Sequence, residues 1–176
     1  MIEIRRIDKA AQDALGLKNE PFSMPGRLVP ALQDGVWSYK TEAFDEPAEM
    51  AFPDENYDFD ELEKDSVMLG AYDGETCVGL AIYQKPFFRY LYLYDLKVSA
   101  AYRGKGVGRA LIAAGKTLAG EMGYQGIYTQ AQDNNLNACL FYLKMGFAIG
   151  GFDNRLYDGT KQAGKADVIF YWRKDA

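Results

Sequence analysis

A glycine-rich stretch at residues 98–111 carries the most specific chemistry in this sequence. An apolar segment is followed by three glycines in five residues and then by helical periodicity; the glycines are Gly104, Gly106 and Gly108. Glycines allow backbone N–H groups to turn toward one point, and a helix that begins there adds the positive end of its dipole. Basic side chains add full charges at Arg103, Lys105 and Arg109. The stretch is therefore predicted to bind a pyrophosphate.

Other glycine-rich phosphate loops fit this stretch poorly. A P-loop needs a Lys-Ser or Lys-Thr pair after its last glycine, whereas Val107 follows Gly106. A dinucleotide-binding fingerprint needs the spacing Gly-x-Gly-x-x-Gly, which these glycines do not have. The pattern present is Arg-x-x-Gly-x-Gly over residues 103–108. The remaining alternative is an ordinary strand-to-helix turn that binds no ligand.

Histidine is absent from the sequence. A histidine base, a Ser-His-Asp triad and histidine metal ligands are therefore excluded. The two cysteines, Cys77 and Cys139, are too isolated for a zinc site or a disulfide framework. No metal is expected, so proton transfer falls to Asp, Glu, Tyr, a thiol, a terminal group or water.

The length of the chain, 176 residues, predicts a single domain over residues 1–176. No apolar run reaches the length of a membrane span. The first seven residues alternate like a strand and lack the apolar core of a signal peptide. The sequence therefore predicts a cytoplasmic protein that does not associate with membranes.

Acidic side chains concentrate in residues 42–65. This acidic segment holds eleven acidic residues and one basic residue, Lys64, while the rest of the chain has 14 acidic and 19 basic residues. Such a segment argues against a nucleic-acid partner, whereas its negative potential would attract a polycation. The other interpretation is a solvated, mobile loop.

The hydrophobic pattern predicts a mixed α/β (α+β) domain of about seven strands with flanking helices. Strands are predicted at 2–7, 67–72, 77–84, 89–98, 126–131, 147–157 and 165–172, and helices at 8–17, 106–122 and 135–145. Asp73-Gly74 predicts a hairpin turn, so the N-terminal half of the sheet is expected to be antiparallel. Residues 19–52 contain four prolines and are predicted to be irregular or short-helical.

The strand, helix and strand between residues 89 and 131 predict a central parallel pair with a right-handed crossover. Ligands of such folds bind beyond the carboxyl ends of the parallel strands. The glycine-rich stretch and the turn at 132–135 both lie at such ends. The sequence therefore predicts that the two meet at one site.

A second motif occupies residues 135–147, where Asn135, Ala138 and Tyr142 precede Gly146-Phe147. This motif and the Arg-x-x-Gly-x-Gly motif, in this order and about thirty residues apart, resemble the GNAT family of N-acetyltransferases. The resemblance implies the GNAT fold, acetyl-coenzyme A as the cosubstrate and direct acetyl transfer to a primary amine.

The resemblance also implies which residues bind the coenzyme. They lie on the strand before the glycine-rich loop, in that loop and in the second motif: Leu96, Val98, Arg103, Gly104, Lys105, Gly106, Val107, Gly108, Arg109, Asn135, Ala138 and Tyr142. Asn135 is implied to bond the pantetheine arm and Tyr142 to protonate the leaving thiolate. A bulge in the strand is implied to free the backbone at Leu96 and Val98. The spacing of Tyr142 from Ala138 equally suits a core aromatic residue.

Asp95 stands in an otherwise apolar strand, where a carboxylate is unfavourable unless it is paired or solvated. The GNAT resemblance implies a role for Asp95 in substrate binding or as the catalytic base. The alternatives are an edge contact or a salt bridge with Lys97 or Arg89.

The N-terminal half resembles one subgroup, the streptothricin acetyltransferases, through segments 19–22, 26–30, 37–39 and 53–59. Streptothricins are polycations with a β-lysine amine that these enzymes acetylate, and a polycationic acceptor agrees with the acidic segment. Acceptor-binding residues are expected among the aromatic and acidic side chains: Trp37, Tyr39, Asp54, Glu55, Asp58 and Asp95.

Two rivals to this assignment remain open from the sequence. One keeps the chemistry and changes the acceptor to a polyamine, an aminoglycoside or a protein amine. The other is a non-catalytic sensor that binds acyl-coenzyme A, although Asn135 and Tyr142 argue against it. Apolar side chains such as Phe87, Phe88 and Tyr90 suggest a homodimer.

Overall fold

The structure, a computed structural model, describes residues 1–175. Within these residues it has nine strands: β1 (Ile2–Arg6), β2 (Phe22–Gln33), β3 (Val36–Met50), β4 (Ser66–Asp73), β5 (Thr76–Gln84), β6 (Tyr90–Val98), β7 (Gly126–Gln132), β8 (Ala148–Asp153) and β9 (Asp167–Arg173). The α-helices are α1 (Phe59–Leu62), α2 (Val107–Glu121) and α3 (Leu136–Lys144). Two 3-10 helices occupy Lys9–Gly16 and Ala100–Tyr102.

Seven of the strands form one sheet in the order β1-β4-β5-β6-β7-β9-β8, and β2 and β3 form a second, two-stranded sheet. The larger sheet is mostly antiparallel with one parallel pair, which confirms the predicted fold class. The chain divides into two compact units. The first comprises residues 1–21, 51–127 and the C-terminal residues from Lys174, and the second comprises residues 22–50 and 128–173. The assignment of one domain to residues 1–176 stays a prediction.

In the first unit, the strands β1, β4, β5 and β6 pair antiparallel. Helix α2 packs on them through a close approach at Gly115, where an added Cβ would lie 2.0 Å from the hydroxyl oxygen of Tyr83. That hydroxyl donates to the carbonyl of Leu111 at 3.1 Å. Glycine at position 115 therefore lets a buried tyrosine fix the position of the helix that follows the glycine-rich loop.

In the second unit, the prediction for residues 19–52 is wrong, because most of this region is the β2–β3 hairpin. Asp34 and Gly35 form its tight turn, with φ values of +51° and +78°. The prolines are tolerated because each strand of a two-stranded ribbon pairs with another strand on one side only, although Leu28 of β2 also donates to the carbonyl of Asp133. Pro30 lies opposite Tyr39, and Pro25 lies at an irregularity in the register between residues 24 and 26.

The strand predicted at 147–157 is also shorter in the structure, because β8 ends at Asp153. The carboxylate of Asp153 accepts hydrogen bonds from the backbone N–H groups of Arg155 and Leu156, at 2.8 and 3.0 Å. This local turn competes with strand pairing. Residues 154–165 therefore form a turn-rich segment, called here the 154–165 segment, before β9 begins.

Candidate active site

The glycine-rich loop has the geometry of an anion site in the first unit. Gly104 and Gly106 have φ values of +74° and +86°, which glycine adopts without strain. Gly106 is the N-cap of α2, and no side chain among residues 1–175 accepts a hydrogen bond from the N–H groups of residues 106–109. These N–H groups and the helix dipole can therefore hold a phosphate group.

The side chains around this loop divide between the core and the surface. Val107 is buried beside Leu111, so only its backbone N–H remains for an anion. Lys105 and Arg109 are exposed, and the ammonium of Lys105 lies 5.4 Å from the centre of the Tyr102 ring. Their charges are available to a bound anion but are screened by solvent.

Arg103 has partners that the sequence did not indicate. Its guanidinium donates to three backbone carbonyls, those of Val98, Pro21 and Glu20, at 3.1, 2.6 and 3.1 Å. The carboxylate of Glu20 accepts a hydrogen bond from the backbone N–H of Ala100. Arg103 thus ties residues 20–21 to the loop, and its predicted contact with the coenzyme stays a prediction.

Strand β6 contains the bulge that the resemblance implies. Ile82 lies opposite Asp95, but the next residue of β5, Tyr83, lies opposite Leu93, which leaves Tyr94 as the extra residue. Leu96 and Val98, both half-buried, pair with Ala81 and Gly79 of β5. A bulge locally disrupts strand pairing and can redirect the side chains beside it.

Asp95, directly after the bulge, belongs to a polar network. Its Oδ2 lies 3.2 Å from the ammonium of Lys97 and accepts a hydrogen bond from the hydroxyl of Tyr57 at 3.1 Å. The same ammonium lies 2.6 Å from Oε2 of Glu55, which also accepts from the side-chain amide of Asn19 at 2.9 Å. The structure therefore brings two predicted site residues, Asp95 and Glu55, together through Lys97.

The network sets the protonation of its members. Burial raises the pKa of Asp95, although the charge of Lys97 opposes the rise. Burial would also raise the pKa of Glu55, but the hydrogen bonds from Lys97 and Asn19 outweigh it and lower that pKa. Burial, followed by the charges of Asp95 and Glu55, raises the pKa of Tyr57, which therefore remains a hydrogen-bond donor.

Tyr57 was not predicted as a site residue, and Lys97 was predicted only as an alternative partner of Asp95. A usable signal existed for Lys97, because residues two apart on a strand project to the same face. No comparable signal existed for Tyr57, which reaches Asp95 from a loop 38 positions earlier in the chain.

Removal of the shared ammonium should destabilise the protein. We expect Lys97→Met to lower the free energy of unfolding by about 2 kcal/mol at neutral pH, because it leaves two carboxylates without their cation. The loss should be smaller than for a fully buried pair, since the side chain of Asp95 keeps 17% exposure and can take up a proton. Denaturant unfolding of both proteins measures the difference.

The pH dependence of this loss has a defined sign. The lowered pKa of Glu55 gives stability that is lost as pH falls. Because the pKa of Asp95 is raised, the protein loses stability as the pH rises from 3.8 toward that raised pKa. Without Lys97 the pKa of Asp95 should rise further, so this loss should extend to higher pH. The loss should therefore shrink in acid. Lys64→Met, which removes an exposed partner of Glu61, should lower stability much less than Lys97→Met. Equal losses in the two variants would show that the network contributes little.

In the second unit, Asn135, Ala138 and Tyr142 lie at the start and on the buried side of α3. The side-chain oxygen of Asn135 accepts from the N–H of Ala138 at 3.3 Å and caps the helix. The amide NH₂ of Asn135 is a separate group that can still donate to a ligand. Asn135 therefore has a structural role, and its predicted coenzyme contact stays a prediction.

Tyr142 is 7% exposed. Its ring lies 5.6 Å from the ring centres of both Phe147 and Phe170. The ring is thus part of the apolar packing of this unit, as the core alternative expected. A packed ring and a catalytic hydroxyl are compatible, because packing holds the hydroxyl in a fixed position.

The predicted acceptor residues are distributed over both units. Trp37 and Tyr39 lie on β3, and Tyr39 is exposed. Asp54 accepts a hydrogen bond from the backbone N–H of Asn19, and its carboxylate lies 3.1 Å from the ammonium of Lys18. Both contacts lower the pKa of Asp54, and the contact with Asn19 has the larger effect. Asp58 caps α1 through Glu61.

The acidic segment is divided between the two units rather than forming one loop. Asp54, Glu55 and Asp58 all have intramolecular partners in the first unit. In the second unit, Asp45, Glu46 and Glu49 are exposed on β3, and none forms an ion pair with a residue in the range 1–175. The charges of these three residues, called here the β3 acidic residues, are therefore not compensated by an ion pair within the described residues.

Comparison with known proteins assigns the class. The sequence profile described as the acetyltransferase (GNAT) family matches residues 30–147. The chain belongs to this family, which confirms the resemblance carried by the two motifs, and it is an acetyltransferase.

Individual relatives are more specific. Streptothricin acetyltransferase A of Bacillus subtilis (strain 168) is 33% identical over 156 residues, which cover 88% of this chain and 90% of that protein. A Bacillus anthracis str. Ames structure, described as a streptothricin acetyltransferase in complex with acetyl coenzyme A, is 28% identical. The two structures superpose with a TM-score of 0.88, and the match covers 98% of this chain and 99% of the Bacillus anthracis chain. Nourseothricin acetyltransferase is 25% identical, with a TM-score of 0.81 and 98% coverage of both chains.

None of the helices in the part of the chain that the structure describes is both long and apolar enough to cross a membrane.

Proposed function

We propose that this acetyltransferase transfers the acetyl group of acetyl-coenzyme A to a primary amine of a cationic small molecule, streptothricin. The observation that carries the acceptor assignment is the 33% identity to streptothricin acetyltransferase A across 88% of the chain. The match includes the N-terminal half, where the second resemblance was found. Acetyl-coenzyme A, when bound, supplies an activated acetyl thioester.

The glycine-rich loop fits the pyrophosphate of the coenzyme. The N–H groups of residues 106–109 have no side-chain acceptor in the range 1–175, and the side chain of Val107 is turned into the core. We propose that these groups bind the pyrophosphate, with Lys105 and Arg109 adding charge. Backbone at Leu96 and Val98 and the amide of Asn135 would hold the pantetheine arm.

Proton transfer is assigned to two residues. The attacking amine must be uncharged, so a base must accept its proton. Asp95 is a suitable base because burial raises its pKa above that of an ordinary carboxylate, while the charge of Lys97 opposes the rise. The hydroxyl of Tyr142 donates its proton to the departing sulfur. Asp95 then releases its proton to solvent and Tyr142 regains a proton from solvent, which restores both groups.

Release of coenzyme thiol tests this function. We expect thiol release with streptothricin as acceptor and much slower release with spermidine, kanamycin or a peptide with a free N-terminus. Activity confined to one of those three amines would assign a different acceptor. Binding of the coenzyme without thiol release in any arm would favour the sensor.

The β3 acidic residues should attract the acceptor. We expect replacement of Asp45, Glu46 and Glu49 by their amides to raise the acceptor KM by about 3- to 10-fold at low salt, because the local negative potential falls. The coenzyme KM should stay unchanged, and the effect should fade at high salt. Initial rates at two salt concentrations measure this.

A charge-matched control separates local from net charge. Asp13, Glu121 and Asp175 are exposed acidic residues outside the acidic segment. Their replacement by amides removes the same total charge and should leave the acceptor KM within about twofold. An equal rise in both triple variants would show that only net charge matters.

A further inference from the structure

A buried polar cluster lies where β7 ends and β9 begins, in the second unit. Four side chains there are at least nine-tenths buried: Gln132 (6% exposed), Asp133 (6%), Asn134 (9%) and Asp167 (6%). None of them belongs to the site described above. We call them the β7–β9 cluster.

The two carboxylates of the cluster are held in place but not neutralised. Oδ1 of Asp133 accepts from the backbone N–H groups of Asn134 and Ala166, at 3.0 and 3.2 Å. Oδ1 of Asp167 accepts from the hydroxyl of Tyr157 at 2.7 Å. Neither carboxylate forms an ion pair with any cation among residues 1–175. Two buried carboxyl groups therefore share this region without a positive partner, and burial makes their ionised forms unfavourable.

Two further oxygens in the cluster have no hydrogen-bond partner within residues 1–175. They are Oε1 of Gln132 and Oδ1 of Asn134, both fully shielded from solvent. The NH₂ group of Gln132 donates to Gln162 at 2.7 Å, which fixes the orientation of its carboxamide. The same side chain acts on the hydroxyl of Tyr157, the group that donates to Asp167. The unpartnered oxygen of Gln132 is therefore part of the same cluster.

The charges and unpartnered oxygens of the cluster indicate the chemistry of the ligand that would fit it. Burial raises the pKa of Asp167, the hydrogen bond from Tyr157 opposes this, and the charges of Asp153 and Asp133 raise it further. Every unsatisfied atom is an acceptor, so the missing partner must bring donors and a positive charge. A primary ammonium group supplies three donors and one charge.

We propose that the β7–β9 cluster binds a primary ammonium group of the acceptor, and that this ammonium is not the amine that is acetylated. A buried carboxylate pair stabilises the protonated form of an amine, whereas the attacking amine must be uncharged. The acceptor therefore carries at least two amino groups, one held as a cation and one that reacts. This proposal rests on the proposed function and adds the requirement that the acceptor has a second amino group.

The 154–165 segment contacts the cluster from its solvent-exposed side. Tyr157 and Gln162 of this segment contact the cluster, while most of its other residues are exposed. Lys165, at the end of the segment, donates to Gln162 at 2.9 Å rather than to either carboxylate. Displacement of these few contacts would open the cluster to an alkylammonium chain.

The test measures binding of 1,5-diaminopentane to the full chain without coenzyme, by NMR of the side-chain amides of Gln132 and Asn134. We expect saturable shifts of these signals, and similar saturation with 1-aminopentane, because the cluster binds a single ammonium group. Asp167→Asn should raise the Kd by about 10- to 100-fold, because a hydrogen bond to a charged group is lost. Asp158→Asn, an exposed control paired with Arg155, should leave the Kd within about twofold.

A second variant keeps the test decisive if Asp167→Asn fails to fold. Gln132→Met preserves the size of the side chain and removes the unpartnered oxygen, so it should weaken diamine binding by about tenfold without lowering stability by more than about 1 kcal/mol. Equal diamine affinity in the parent and either variant would overturn the proposal. Saturable binding of potassium ion with the same shifts would also overturn it and would indicate a metal site.

The outcomes separate this inference from the proposed function. If streptothricin is not acetylated but the diamine still binds at Gln132 and Asn134, the proposed acceptor fails and the ammonium site stands. If streptothricin is acetylated with the same acceptor KM by the parent and by Asp167→Asn, the function stands and the ammonium site fails.

Discussion

Replacement of Tyr142 by Phe should lower kcat by about 10²- to 10⁴-fold, the usual contribution of a positioned general acid. The change keeps the ring that packs against Phe147 and Phe170, so stability and coenzyme affinity should change little. Only the proton donor for the leaving thiolate is lost. If water replaces the hydroxyl, the decrease lies at the small end of this range. Steady-state kinetics, coenzyme titration and thermal unfolding of the same preparation measure the three quantities.

Tyr83 provides the matched control for this variant. It is fully buried, and its hydroxyl donates to the carbonyl of Leu111. Tyr83→Phe should therefore lower stability by about 1 kcal/mol and leave kcat nearly unchanged. If Tyr142→Phe behaves in the same way, with stability lost and kcat intact, Tyr142 is a core aromatic residue and another group protonates the thiolate.

Replacement of Gly106 by Val should raise the Kd for acetyl-coenzyme A by about 100-fold. Gly106 has a φ of +86°, where a β-branched residue is strained by about 1–3 kcal/mol. The loop would relax away from the geometry that points its N–H groups at one anion, and the added side chain would obstruct the approach of a phosphate. Titration of the coenzyme by calorimetry measures the effect.

Lys105→Ala is the comparison that distinguishes backbone binding from charge. Lys105 is exposed, so its loss should weaken coenzyme binding by only about 2- to 5-fold, and less at high salt. Unchanged affinity in Gly106→Val would contradict the assignment of the loop. A larger effect of Lys105→Ala than of Gly106→Val would assign the binding to side-chain charge.

Most of the larger sheet could be predicted because its signals are local. Alternating apolar residues, the Asp73-Gly74 turn and the glycines that end α2 and α3 each define an element within a few positions. The β2–β3 hairpin was missed although Asp34-Gly35 is the same turn signal. Its prolines argued against a strand, and that rule is weak for a ribbon in which both strands are edges.

The candidate site was predictable where chemistry is carried by consecutive residues. The glycine-rich loop and the start of the helix at Asn135 both follow from short motifs. Contacts between distant segments were not predictable. Tyr57 donates a hydrogen bond to Asp95, which is 38 positions away in the sequence, and the guanidinium of Arg103 donates to the carbonyl of Pro21, which is 82 positions away. Burial of Asp133 and Asp167 without a cation is equally invisible in the sequence, because it depends on how β7 and β9 end.

The central claim is that the chain acetylates an amine of streptothricin. The most direct measurement is a competition in one reaction that contains equal concentrations of streptothricin, spermidine and kanamycin with limiting acetyl-coenzyme A, followed by mass spectrometry of all products. We expect streptothricin to gain one acetyl group and to receive nearly all of the transferred acetyl groups, while the other amines remain unmodified. Preferential acetylation of spermidine or kanamycin, with streptothricin unmodified, would contradict it.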